Sequence, residues 1–342
     1  MRGMSEVPQS VIESPDEPHD HGFRALVDGA FAVLVGLLAV IQARINGELA
    51  LVVGSGIEAA VVSFGSGLLL IVVIVLVVPS ARAGTRRLAH AARVPPKVPI
   101  WTFLGGVGGA TFVAAQGLVV PTTGVALFTI AIVAGLSGNS LVADKYGIGP
   151  GGRRPVTWPR VVAALVAVFG VGLAVSGELG GGQVAVGLLA LAMFAGATVA
   201  VQQGLNGRVA VIAGTPLPAA LVNFTVGFTA LLLVGAVTEA FDGQAFTAPP
   251  APWAQPVLWL GGPIGVAFVV VAAFAVRGLG VLVFSLLTIV GQLVGGVLVD
   301  LVAPVPGDTG LTWQTIVAVL LSMAATVLAF LGSRRPTGTM HR

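Results

Sequence analysis

The side chains best equipped for chemistry in this sequence are carboxamides, and they come in pairs. Gln42 and Asn46 stand four residues apart in Ile41-Gln42-Ala43-Arg44-Ile45-Asn46-Gly47, and the pattern returns 160 positions later as Val201-Gln202-Gln203-Gly204-Leu205-Asn206-Gly207. Residues four apart share one face of a helix, so each pair offers donors and acceptors side by side. Gln116, Asn139, Asn223 and Gln292 stand inside apolar runs. An unpartnered polar group in hydrocarbon costs several kcal/mol, so each of these residues either clamps a neighbouring helix or lines a substrate path. Four carboxylates, Asp28, Glu58, Asp144 and Asp300, lie at or inside the ends of apolar runs. None stands at the middle of a run, where a carboxylate has functional weight by default. Asp144 and Asp300 recur at matching positions and are the candidates for proton or cation coupling.

Several other chemistries are missing. The chain has no cysteine, which excludes disulfides, thiolate catalysis and Cys-ligated metal. No Ser/His/Asp set, paired catalytic carboxylates or metal-spaced histidines stand among the apolar runs, so neither an enzyme nor a cofactor is expected. His19-Asp20-His21 lies in a polar N-terminal tail. The glycine-rich, basic run from Gly147 to Arg154 lacks the Lys-Ser/Thr of a phosphate loop and reads as a connector.

The elements that must hold these amides are membrane helices. Of 342 residues 56% are apolar and 9% charged, with a mean hydropathy of +1.00. A soluble domain carries about 25% charged residues. Apolar runs of roughly 20 residues recur, long enough to span the ~30 Å bilayer core as helices and too continuous for barrel strands. Ten spans are expected, near 25–43, 57–78, 100–119, 123–143, 158–176, 183–203, 217–237, 257–276, 280–301 and 312–332. With the N-terminus in the cytoplasm, every one of the 17 basic residues except Arg44 falls on the cytoplasmic side, as positive-inside topology requires. Arg44 can pair with Glu48 if its helix extends that far. The basic residues, spread over loops, therefore follow topology and do not form a nucleic-acid face.

The repeat runs on beyond the amides. The 160-residue offset pairs Gly54 with Gly214, Ser63 with Asn223, Phe64 with Phe224 and Gly67 with Gly227. An offset of 156 then pairs Gly105-Gly106 with Gly261-Gly262, Gly109 with Gly265, Gly124 with Gly280, Phe128 with Phe284 and Asp144 with Asp300. Gly105-x-x-x-Gly109 and Gly261-x-x-x-Gly265 have the spacing that lets helix backbones touch. Each half holds five spans. An odd number turns the second half over, giving inverted repeats of the kind from which transporters draw two access states. The expected division is a disordered cytoplasmic tail over 1–23, repeats over 24–178 and 179–333, and a cytoplasmic tail over 334–342.

Gln42-Ala43-Arg44-Ile45-Asn46-Gly47, Val62-Ser63-Phe64-Gly65-Ser66-Gly67 and Gly291-Gln292-Leu293 followed by Asp300 resemble the YdcZ-type family of the drug/metabolite transporter superfamily. The likeness takes the form of two five-span units fused over about residues 24–333. The halves differ: Leu136 stands where the second half has Gln292, and Asn223 where the first has Ser63. The resemblance implies an exporter of small metabolites or drug-like molecules in the bacterial cytoplasmic (inner) membrane. The first-span glutamate of small multidrug relatives has no counterpart, since Asp28 lies near the cytoplasmic end.

The sequence thus points to an all-α, ten-helix secondary transporter working by alternating access. Gln116, Asn139, Asn223 and Gln292 are expected around its site, with Gln42, Asn46, Gln202 and Asn206 at the two mouths. Its partners are the bilayer and an unidentified small molecule, as a monomer or homodimer without nucleic acid. The alternatives are a non-transporting scaffold or partner subunit, whose amides only clamp helices, and a passive pore.

Overall fold

Two helices of 42 residues set the architecture. A straight helix of that length runs about 63 Å, roughly twice a bilayer core. The computed structural model describes residues 18–95, 97–153, 155–177, 183–242, 246–304 and 311–333, all helical or connecting. In chain order the helices are α1 (Pro18–Val53), α2 (Gly56–Val77), α3 (Pro79–Arg93), α4 (Gly105–Tyr146), α5 (Trp158–Gly177), α6 (Gln183–Ala213), α7 (Pro216–Asp242), α8 (Gly261–Val302) and α9 (Trp313–Ser333). Among the described residues, six helices are long and apolar enough to cross a membrane, and Trp158–Ala174 and Trp313–Ala329 are shorter apolar helices.

The boundaries repeat with the sequence. Gly54 and Gly214 both take positive φ, between α1 and α2 and between α6 and α7. Short 3₁₀ turns, Ile100–Phe103 and Pro256–Trp259, precede α4 and α8 at the same 156-residue offset, as do both ends of those long helices. Among the described residues, helix α3 has no counterpart in the second half. It was expected as part of a cytoplasmic loop, yet Ala81, Gly84 and Leu88 are buried at helical spacing and Arg87 donates to the carbonyl of Ala213, while Arg82, Arg86 and Arg93 are exposed.

Helix α4 breaks where the fourth span was expected to begin. Gly124 takes φ 75° and ψ 174°, a conformation closed to other residues, and Pro121 removes a backbone donor three residues earlier. The break would strand the first amides of the following segment. Asp300 of α8 receives them: Val125 N–H donates to Oδ1 at 2.9 Å and Ala126 N–H to Oδ2 at 2.7 Å. A carboxylate at a helix N-terminus is favoured both by these bonds and by the helix dipole.

The apolar runs understate the helices. Helix α1 continues to Val53 and α6 to Ala213, well past the spans expected to end at 43 and 203. Hydropathy marks where a helix leaves hydrocarbon and not where it stops. The carboxamide pairs therefore lie within helices. Residues 1–17 lie outside the described residues, and α1 already starts at Pro18.

Most packing runs between the halves. Helix α4 lies chiefly along α6, and α8 along α1, while α5 packs on α9. Glycines permit these crossings: a β-carbon at Gly135 or Gly196 would overlap the backbone of Met193 or Ile132, and one at Gly291 or Gly36 that of Val33 or Thr288. The two sets are related by the repeat, so the crossing is reciprocal.

Candidate functional site

At one end of the bundle, α1, α2, α4 and α8 meet around Asn46. Its Nδ2 donates to Gln116 Oε1 at 2.6 Å, and Gln42 Nε2 donates to the carbonyl of Gly261 at 2.9 Å. Asn46 and Gln116 are fully buried. Gly261 makes room for this corner, since a β-carbon there would collide with Asn46 Oδ1 and Ser63 Oγ. Among the described residues, Asn46 Oδ1, Gln116 Nε2 and Ser63 Oγ have no hydrogen-bond partner. Reversing both amides would exchange their roles and still leave one donor and one acceptor unused.

The repeat places the matching corner at Asn223. Gln202 Nε2 and Asn206 Nδ2 both donate to Asn223 Oδ1, at 2.9 and 3.1 Å. Gly105 stands to Asn206 as Gly261 stands to Asn46, with the amide oxygen filling the place of a missing side chain. The extra polar group has changed helix, from α4 at the first corner (Gln116) to α7 at the second (Asn223). The two corners join α1 to the glycine that opens α8, and α6 to the glycine that opens α4.

The sequence grouped Gln116, Asn139, Asn223 and Gln292 around one site, and the structure separates them. Gln116 and Asn223 belong to different corners. Asn139 Nδ2 donates to the carbonyl of Ala197 at 2.6 Å, fastening α4 to α6. Gln292 borders a cavity between the halves. There it meets Ala39, Val40 and Ala43 of α1 and Phe112, Phe128 and Thr129 of α4, with the two rings 5.9 Å apart. Gln292 is half-buried and makes no hydrogen bond among the described residues. The cavity measures about 10 Å³, room for about one water. Its aromatic walls and Thr129 were not singled out from sequence, although the Phe128–Phe284 repeat was a signal.

The carboxylates hold structure. Asp300 caps the break in α4, as described. Asp144 accepts from Arg160 of α5 at 2.6 Å. Arg44 does pair with Glu48, at 2.9 Å, because α1 extends that far. Among the described residues no cluster of three metal-ligating side chains occurs.

A larger opening lies beside the second corner. Arg208, two residues beyond Asn206, borders a cavity of about 380 Å³ with Val98, Pro99, Thr102 and Ile212. Its guanidinium lies 5.1 Å from the centre of the Trp101 ring and donates to the carbonyl of Gly147. Sequence reasoning counted Arg208 only as a topological charge. The residues that fix it lie far away along the chain.

Comparison with known proteins adds one family. The family described as "Putative inner membrane exporter, YdcZ" matches the chain twice, over residues 29–173 and again over 187–328. No curated protein matches. A solved structure described only as "Crystal structure of protein" is 19% identical over 92% of this chain and 99% of its own, with a TM-score of 0.48.

Proposed function

The chain belongs to the YdcZ family of inner-membrane exporters, and from that premise we propose that it is a secondary transporter working by alternating access. Ten membrane crossings, with α4 and α8 each supplying two, form two inverted five-span halves with both termini in the cytoplasm. The substrate is a small metabolite or drug-like molecule that enters between α1, α4 and α8, where Gln292 offers it a hydrogen bond among apolar walls.

One observation carries this reading. The two amide corners are repeat-related, join opposite halves, and on the inverted topology face opposite sides of the membrane. Parting Gly261 of α8 from Gln42 and Asn46 opens the outer side, while parting Gly105 of α4 from Asn206 opens the cytoplasmic side. The first opening breaks the Gln42–Gly261 hydrogen bond, a scale of about 1 kcal/mol, and the second parts packed surfaces. With both corners closed, the space at Gln292 is too small for a substrate, which corresponds to an occluded state. Amides that bond only to protein would also suit a scaffold. Gln292 favours transport, because a clamp would not leave an amide beside a cavity without a partner.

For coupling, Asp300 is better placed than Asp144. A proton taken up there would weaken two backbone bonds at the break in α4 and so loosen the crossing. Asp144 is already engaged with Arg160.

The experiment uses the absence of cysteine. Cysteines introduced at Asn46 and Gly261, or at Asn206 and Gly105, are bridged by a short bifunctional reagent in proteoliposomes loaded with candidate substrates. Bridging either corner should stop efflux, and reduction should restore it. Each corner should react with an impermeant thiol reagent from one side only, opposite for the two. Reaction of both corners from the same side, or efflux that continues through a bridged corner, contradicts the proposal.

A further inference from the structure

The cavity beside Arg208 has features that the gating corners do not use. The repeat equivalent of Arg208 is Glu48, which forms an ion pair with Arg44. Arg208 itself has no carboxylate partner among the described residues. Its contacts are a ring face and one carbonyl, so most of the five guanidinium N–H groups stay uncommitted. Lys97, Lys145 and Arg153 are exposed in the segments around the opening, and Asp144, next to Lys145 in the chain, is engaged by Arg160. Cations with no free counter-charge raise the local concentration of anions. The remaining wall is apolar, from Val98, Pro99, Val211 and Ile212, with Thr102 as a further polar group. A volume of about 380 Å³ lies in the range of small-molecule sites.

From these contacts we propose that the Arg208 cavity captures a small organic anion with an apolar body, its carboxylate bound by the guanidinium and its body against Val211 and Ile212. The inference rests on the exporter reading for its purpose: a cavity next to the Gln202–Asn223–Asn206 corner, on the cytoplasmic side, is where an exporter loads. Trp101 holds the guanidinium plane in place, so little side-chain freedom is lost on binding.

The test measures binding without transport. The full chain in phosphatidylcholine nanodiscs, free of anionic lipid, is titrated calorimetrically with benzoate, benzylamine and benzyl alcohol. Benzoate should saturate at one per chain, and the cationic and neutral matches should not. Arg208→Gln should weaken benzoate about tenfold or more, the scale of a lost charge-assisted hydrogen bond. Val211→Trp, which fills the cavity and leaves Arg208 on Trp101, should weaken it as well, so the test survives if Arg208→Gln fails to fold. Absence of saturable benzoate binding, or equal binding of benzyl alcohol, overturns the proposal. So does undiminished binding in Val211→Trp. Displacement of benzoate by an equal concentration of inorganic phosphate would assign the site to a bare anion. Displacement by added phosphatidylglycerol would assign it to a lipid headgroup, and either result overturns the apolar-body claim. Failure here leaves the bridging experiment untouched, and failure of that experiment leaves the binding site standing.

Discussion

Phe64 of α2 and Phe224 of α7 meet with their ring centroids 5.1 Å apart and tilted by 48°. Each ring fills the space left by a glycine on the other's helix: Phe224 lies over Gly67, and Phe64 over Gly227. Four residues related by one offset thus form a reciprocal lock between α2 and α7. Its symmetry is the most direct structural trace of the duplication.

Adding a methyl group to either glycine should break this lock. Gly67→Ala and Gly227→Ala are each expected to destabilise the protein by ~1–3 kcal/mol, the range for overpacking. Gly172→Ala, where nothing lies within 4 Å of the new β-carbon, serves as the control and should change little. Unfolding midpoints in detergent check all three. Phe224→Leu combined with Gly67→Ala should recover part of the loss.

Gln292 should show a split between stability and function. It forms no hydrogen bond among the described residues, so Gln292→Leu should leave the unfolding midpoint unchanged or raise it slightly. Efflux should fall about tenfold or more if a substrate hydrogen bond is lost. Proteoliposome efflux beside thermal unfolding measures both, and a large stability loss with full efflux would show that Gln292 only clamps.

Asp300 supports the break in α4 through two charge-assisted bonds. Asp300→Asn should cost ~1.5–3 kcal/mol, because an amide presents one acceptor and one unwanted donor to two backbone N–H groups. Hydrogen exchange at Val125 and Ala126 should accelerate before exchange elsewhere in α4. If Asp300 also couples transport, the variant's residual efflux should no longer respond to a pH gradient.

The Asn46 corner is open to a double-mutant cycle. Asn46→Ala leaves Gln116 buried without a partner and is expected to cost ~1–3 kcal/mol. Replacing both residues by apolar groups of similar shape, Asn46→Leu with Gln116→Met, should cost much less than the sum of the single changes. The equilibrium unfolding energies of the four proteins give the coupling.

The chain's sequence made the repeat legible because matched Gln, Asn and Phe are rare coincidences in a composition dominated by Ala, Val, Gly and Leu. It also marked close helix approach at Gly105, Gly109, Gly261 and Gly265. What spacing could not reveal was the partner: whether Gly105 faces its own half or the other depends on tertiary packing. Hence Gln116 and Asn223, assigned to one site, belong to separate corners. Helix α3 was hidden because it is not an apolar run, although Ala81, Gly84 and Leu88 carry its period. The stacking of Arg208 on Trp101 joins residues too distant in the chain for any local pattern.

The seating of α4 on α6 and of α8 on α1 has a genetic consequence. Each half packs chiefly on the other, so α1 to α5 emerge from the ribosome with their main packing faces unoccupied until α6 and α8 arrive. A gene cut between α5 and α6 should give two polypeptides that accumulate only when expressed together, each degraded alone. The fused chain would then be a dimer whose subunits became obligatory neighbours, free to diverge at Gln292 and Leu136 because neither must any longer pair with a copy of itself.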